Sequence, residues 1–123
     1  MKKSLHVALS IGIAVSVPLA VYAADTPQFR GPNRDGFFAE KGLLKSWPAG
    51  GPTLAWKVEG VGRGYSSVSD VNGTIYVPGM LDENIGYVIA LDENGKEKWR
   101  APYGEETLDK QATGARATPT IDG

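Results

Sequence analysis

The chain has 123 residues, and its 41% hydrophobic content, with 16 glycines and 8 prolines, excludes a disordered chain and favours an all-β fold. Its 13 basic and 14 acidic residues give no electrostatic case for binding nucleic acid. The absence of cysteine excludes disulfides, thiolate metal sites and a lipid-modified cysteine anchor.

Residues 1–23 have the pattern of a secretory signal peptide. Lys2 and Lys3 form a positive start, an apolar run covers residues 7–21, and short side chains lead to a cleavage position after Ala23 or one residue later. A membrane anchor is the alternative, but the run is shorter than the roughly 20 residues of a spanning helix. We therefore expect a bacterial periplasmic or secreted protein with no membrane anchor after cleavage.

Cleavage of this segment changes the chemistry that the chain offers. It removes His6, the only histidine, so the remainder has no histidine triad, histidine metal ligand or histidine general base. It also removes two lysines from the 13 basic residues, which leaves 11 against 14 acidic residues. The mature part is therefore expected to be weakly acidic.

The next segments lead into the first predicted strand. Residues 24–53 are rich in proline and glycine and are expected to form an irregular N-terminal arm. Residues 54–58 alternate apolar side chains onto one face and predict a strand that carries Trp56. Residues 60–64 are glycine-rich, but no helix follows them as a phosphate-binding loop requires, so we interpret them as a connector.

The central part predicts four short antiparallel strands in a meander, with a two-residue turn at Asn72-Gly73 and a polar loop at residues 81–86. The predicted strands cover residues 67–71, 74–77, 87–91 and 96–100. A connector is expected at residues 101–114. The acidic runs at residues 82–84 and 92–94 lack the oxygen spacing of a calcium loop and are explained by turn formation.

A nine-residue motif occurs twice in the chain. Residues 65–73 are echoed by residues 115–123, and the copies end in Asn-Gly and Asp-Gly, which are both hairpin-turn pairs. A repeat of this period predicts a propeller or a solenoid, because a single four-stranded sheet cannot cover both its faces. The second copy lacks its return strand, so we expect a piece of a longer protein. The predicted fold is an all-β β-propeller of four-stranded antiparallel blades, and residues 54–123 supply an orphan closing strand, one full blade and the start of the next.

Residues 88–99 resemble the repeat of the PQQ-like β-propellers. That repeat has Ala-x-Asp, a turn, a glycine and then a tryptophan, and these positions are held here by Ala90, Asp92, Gly95 and Trp99. Residues 27–36 are similar to the opening of exported bacterial members of this family. The resemblance implies that Asp92 accepts backbone bonds in the turn and that Trp99 packs between adjacent blades.

The resemblance implies two functions for the whole protein. The favoured one is an exported non-catalytic scaffold for interaction or ligand binding, since no catalytic constellation is present. The alternative is the N-terminal part of a quinoprotein dehydrogenase that oxidises alcohols or sugars with PQQ and calcium, although the adjacent cysteines of such enzymes are absent here. A glycan-processing propeller also stays open. No cofactor is expected for these residues, and the partners are an unknown protein, small molecule or glycan and the remaining blades of the same chain.

Arg63, Tyr65 and Arg116 are the candidate binding residues. They lie just before the predicted innermost strands, where blade loops open onto the central channel, and could bind an anionic or sugar ligand through charge and stacking. The alternative is that the arginines, with Arg30 and Arg34, bind loop carbonyls and support the arm. No catalytic residue and no metal ligand is predicted.

Overall fold

The computed structural model describes residues 24–122 and shows an all-β chain with one four-stranded antiparallel sheet. The strands follow one another in chain order and are β1 (Ser69–Val71), β2 (Thr74–Leu81), β3 (Ile85–Leu91) and β4 (Glu97–Glu105). The predicted all-β class and antiparallel meander are confirmed. Within residues 24–122 there is no helix long and apolar enough to cross a membrane. The predicted signal peptide lies outside the described residues.

The turn between β1 and β2 forms at the predicted dipeptide. Asn72 and Gly73 have φ angles of 51° and 67°, and two successive positive values are the mark of a type I′ hairpin turn. Val71 and Thr74 pair across it. The Asn-Gly signal therefore determined the register of the first hairpin.

The β2 strand does not end at Pro78-Gly79 as predicted but continues to Leu81. The nitrogen of Met80 donates to Arg63, on the side of β2 away from β3, and Pro78 presents its nitrogen to that same side. β1 pairs with β2 only as far as Tyr76, so the missing N–H of Pro78 costs no ladder bond. The predicted polar loop accordingly shrinks to three residues between Leu81 and Ile85.

The last strand is also longer than predicted, since β4 includes residues 101–105 of the expected connector. Register shifts in its pairing with β3 fall at Gly86/Tyr87 and at Ala90/Leu91, and they let the pairing continue to Glu105. Every residue of β4 is exposed. This strand is therefore the open edge of the sheet in the described part of the chain.

The core lies on the two central strands and one later segment. Ile89 is 1% exposed and Ala90 is fully buried. The buried apolar residues are Met80, Ile89, Ala90, Leu91 and Ala115. Because Ala115 is far from the sheet in sequence, the second copy of the repeat completes the core.

The strand predicted at residues 54–58 is absent, so that prediction is wrong. No backbone hydrogen bond joins this segment to another described segment, and Leu54 is 75% exposed. Trp56 and Val58 instead lie against the turn between β3 and β4, where a β-carbon on Gly95 would be 3.0 Å from the Trp56 ring. Alternating apolar residues make a strand only when a neighbouring strand satisfies the backbone.

Candidate functional site

The two copies of the repeat lie side by side and run in the same direction. The Tyr65 nitrogen donates to the Ala115 carbonyl at 2.7 Å, and the Ala115 nitrogen donates to the Arg63 carbonyl at 3.3 Å. The backbones approach so closely that a β-carbon on Gly64 would lie 2.5 Å from the Ala115 oxygen. Glycine at position 64 is therefore required for the contact between the copies.

Side chains continue this contact beyond the backbone bridge. The hydroxyls of Ser67 and Thr118 share a hydrogen bond of 2.5 Å. The hydroxyl of Ser69, which is fully buried, donates to the carbonyl of Pro119. Equivalent stretches of the two copies are thus held together along their length.

The first copy is held in place from its other side by β2. Arg63 and Met80 exchange two backbone hydrogen bonds, of 3.0 and 2.8 Å. Arg63 pairs with the same edge of β2 as β1 does. The backbone at residue 63 therefore lies further along that edge, in line with β1. The positions of Arg63 and Tyr65 follow from this pairing.

Arg63, Tyr65 and Arg116 line two adjoining recesses that share Tyr65. The guanidinium carbon of Arg116 is 5.9 Å from the centre of the Tyr65 ring, which is a cation–π distance. Tyr65 and Arg116 line a recess of about 490 Å³, and Tyr65 and Arg63 line an adjoining recess of about 360 Å³. The remaining lining residues are Phe29, Gly62, Gly64, Ser66, Ser67, Thr113, Ala117 and Thr118.

The arrangement is suited to an anionic ligand with a flat or apolar face. No acidic residue lines either recess. Arg116 makes one long contact of 3.4 Å to the carbonyl of Gln111, which leaves the other N–H groups of its guanidinium for a ligand. The ring of Tyr65 is 73% exposed and offers a stacking surface.

The arginines of the arm have a different role. Arg30 donates to the carbonyl of Asp35 at 3.1 Å, and Arg34 donates to the side-chain oxygen of Gln28 at 2.6 Å. Both residues have positive φ angles, 63° and 60°, in a compact turn of the arm. Both arginines thus make their hydrogen bonds within the arm, Arg30 to a loop carbonyl and Arg34 to a side chain.

The residues that carry the family resemblance lie in β3, in the turn after it and in β4. Asp92 accepts hydrogen bonds of 2.9 Å from the backbone nitrogens of Asn94 and Lys96, as expected, and the bond from Lys96 is the main cause that lowers the Asp92 pKa. Ala90 pairs with Trp99. The Trp99 ring is 46% exposed and lies 6.0 Å from the ring of Tyr76.

Within residues 24–122, no three histidine, cysteine or acidic side chains are placed to hold a metal ion. The residues described therefore do not supply a ligand set for the calcium ion of the alternative function.

A groove of about 480 Å³, which the sequence did not predict, is lined by apolar residues together with Glu40 and Asp70. Burial is the main cause that raises the Asp70 pKa, and the carboxylates of Asp25 and Glu93 raise it further. The three acidic residues are distant from one another in sequence. No local pattern signals that the fold brings them together.

Comparison with protein-family models, with curated proteins and with solved structures gave no match to this chain. The resemblance to PQQ-like propellers therefore depends on the motif residues alone. The geometry of the two repeat copies is independent of that resemblance.

Proposed function

We propose that this chain is part of an exported, non-catalytic β-propeller of the PQQ-like type that binds an anionic ligand at Arg63, Tyr65 and Arg116. The observation that supports it is the parallel contact between the repeat copies at Gly64 and Ala115. Blades are equivalent units arranged around a central axis, so their innermost strands run in the same direction. The candidate residues lie at the start of both copies.

The chemistry of this surface favours an acidic saccharide as the ligand. Two guanidinium groups can bind a carboxylate or sulfate through charge-assisted hydrogen bonds. The exposed face of Tyr65 can stack on a sugar ring, and Ser67 lines the same recess with an exposed hydroxyl that can contact a sugar hydroxyl. A scaffold that presents this surface needs no catalytic group.

Binding of uronate and sulfated oligosaccharides to the full-length protein, measured by calorimetry against neutral oligosaccharides, tests the proposal. Arg116→Gln is expected to weaken binding about tenfold or more, because a hydrogen bond to a charged group contributes about 1.5–3 kcal/mol. Tyr65→Ala is expected to weaken it through lost stacking. Arg100→Gln, on the exposed strand β4, is the matched control and should leave affinity unchanged.

Equal affinity for acidic and neutral sugars, or no effect of Arg116→Gln, would contradict the proposed ligand class. The dehydrogenase alternative has its own test on the same full-length protein. A quinone absorbance with calcium-dependent dye reduction would overturn the non-catalytic function. The whole reading frame is expected to contain about six to eight repeats, the common range for propellers.

A further inference from the structure

Three successive residues at the start of the arm, Ala24, Asp25 and Thr26, form hydrogen bonds with residues distant in sequence. The Ala24 nitrogen donates to a carboxylate oxygen of Glu40 at 3.1 Å. The Asp25 carboxylate accepts a bond of 3.0 Å from the backbone of the turn between β1 and β2. Thr26 and Asp70 exchange backbone hydrogen bonds of 2.7 and 3.1 Å. The arm therefore begins along the outer edge of β1.

The groove beside the Ala24 nitrogen is acidic. Ala24, Glu40 and Asp70 line the same groove, and none of its lining residues is basic. One carboxylate oxygen of Asp70 is buried without a hydrogen-bond partner in the described part of the chain. Burial, with the charges of Asp25 and Glu93, raises the Asp70 pKa. The groove is therefore lined by the carboxylates of Glu40 and Asp70 and by no basic side chain.

We propose that cleavage after Ala23 places the new α-ammonium group of Ala24 in this groove, where it pairs with Glu40 and fastens the arm to β1. The proposal depends on export of the protein, which is part of the proposed function. A signal peptidase hydrolyses the Ala23–Ala24 peptide bond with one water. The released segment keeps the carboxylate, and the Ala24 amine takes up the proton.

The chemical change at this nitrogen is what strengthens the contact. As an amide, the nitrogen has one donor and no charge, whereas as an ammonium it has three donors and a positive charge. The bond to Glu40 then becomes charge-assisted, and such bonds are about twice as strong as neutral ones. The same cation compensates the poorly solvated carboxylate of Asp70.

The pairing has a defined pH dependence. A chain-terminal amine ordinarily has a pKa of about 7.7–8.0, and the carboxylates of Glu40 and Asp70, which line the same groove, favour its charged form, with Asp25 and Glu93 adding negative charge near Asp70. A folded-state pKa above the unfolded value means that the stabilisation is complete below about pH 7.7. It is lost as the pH rises through the folded-state value.

Titration of the Ala24 amine tests the pairing directly. The full-length mature protein is released from a fusion so that Ala24 is the first residue, and its amine is labelled by carbon-13 methylation and followed by NMR. A pKa above the ordinary range is expected, and Glu40→Gln should lower it toward that range. Glu105→Gln, on exposed β4, should not change it. A pKa within or below the ordinary range, or one unchanged by Glu40→Gln, would overturn the pairing.

The processing step is tested separately, by determining the first residue of protein that bacteria export from the whole reading frame. A mature chain that starts at Ala24 supports the proposal. A start at Asp25 overturns it, because the residue that pairs with Glu40 is then missing. Retention of residues 1–23 on the exported protein overturns the processing step, and absence of the protein from the exported fraction overturns export, whereas the titration fails only when the pairing itself is wrong.

Discussion

The two copies of the repeat have similar sequences but different structures. In the first copy, Ser69–Val71 forms β1 and pairs with β2 over three residues. In the second copy, Ala115 makes a single parallel bridge, and no strand is present among its described residues. The second copy nevertheless places Ala115 in the core and its neighbours against the sheet. The motif therefore determines where the chain lies, and a neighbouring strand determines whether it becomes a strand.

The largest expected effect comes from separating the two copies. Gly64→Ala places a methyl group 2.5 Å from the Ala115 carbonyl, which the backbones must move to accommodate. Overpacking of this kind costs about 1–3 kcal/mol in the free energy of unfolding. Urea unfolding of the full-length protein measures it.

Gly50→Ala is the matched control for this change. A β-carbon there meets no atom within 4 Å, so no destabilisation from overpacking is expected. If both variants unfold at the same urea concentration, the contact between the copies does not contribute to stability.

A smaller effect is expected from the buried hydroxyl between the copies. Ser69→Ala removes the hydrogen bond to the Pro119 carbonyl and leaves that acceptor unpaired, at a cost of about 0.5–1.5 kcal/mol. Ser67→Ala removes a similar bond to Thr118 at an exposed position and should cost less. A larger loss for Ser67→Ala in thermal unfolding would show that burial does not set the strength of these contacts.

The smallest effect concerns a tyrosine that reports on how the second copy covers the sheet. Tyr103 and Glu106 line a cavity of about 210 Å³ together with Thr118 and Pro119. Tyr103 is 48% exposed as a residue, but partial desolvation of its phenol, followed by the hydrogen bond to Glu106, raises its pKa to about 12. The stabilisation from the neutral phenol is thus present below about pH 10 and is lost as the pH rises through 12.

Glu106→Gln is expected to lower the Tyr103 pKa but to leave it above the ordinary value, since burial remains. Phenolate absorbance in alkaline titration, with Tyr103→Phe as the reference, measures the change. Gly64→Ala should lower the same pKa by moving the second copy away. An unchanged pKa in Gly64→Ala would mean that the second copy does not shield Tyr103.

Local patterns predicted the parts of the fold that depend on local chemistry. The Asn72-Gly73 turn was correct because both residues tolerate positive φ, and the Asp92 turn was correct because a short carboxylate binds nearby N–H groups. The start of β2 was predicted correctly, but its predicted end was wrong because Pro78 normally stops a strand. The pairing of β1 with β2 shows that no β1 residue lies opposite Pro78, so its missing N–H costs no hydrogen bond of the sheet.

The candidate site was predictable in part for a similar reason. Arg63, Tyr65 and Arg116 were chosen because they lie just before the predicted innermost strands, and the starts of the two copies are neighbours because the copies lie side by side. The groove at Asp70 was not predictable, because its charges come from unrelated positions in the chain.

The sequence by itself determined the all-β class, the meander, the first hairpin and the positions that the repeat makes equivalent, since these follow from residue propensities and spacing. The tertiary structure alone decided that residues 54–58 are not a strand and that the arm begins along the outer edge of β1. It also decided that Ala24 lies beside the carboxylate of Glu40. The physical reason is that backbone pairing and the proximity of charges depend on contacts between segments that are distant in sequence. Local sequence patterns do not encode such contacts.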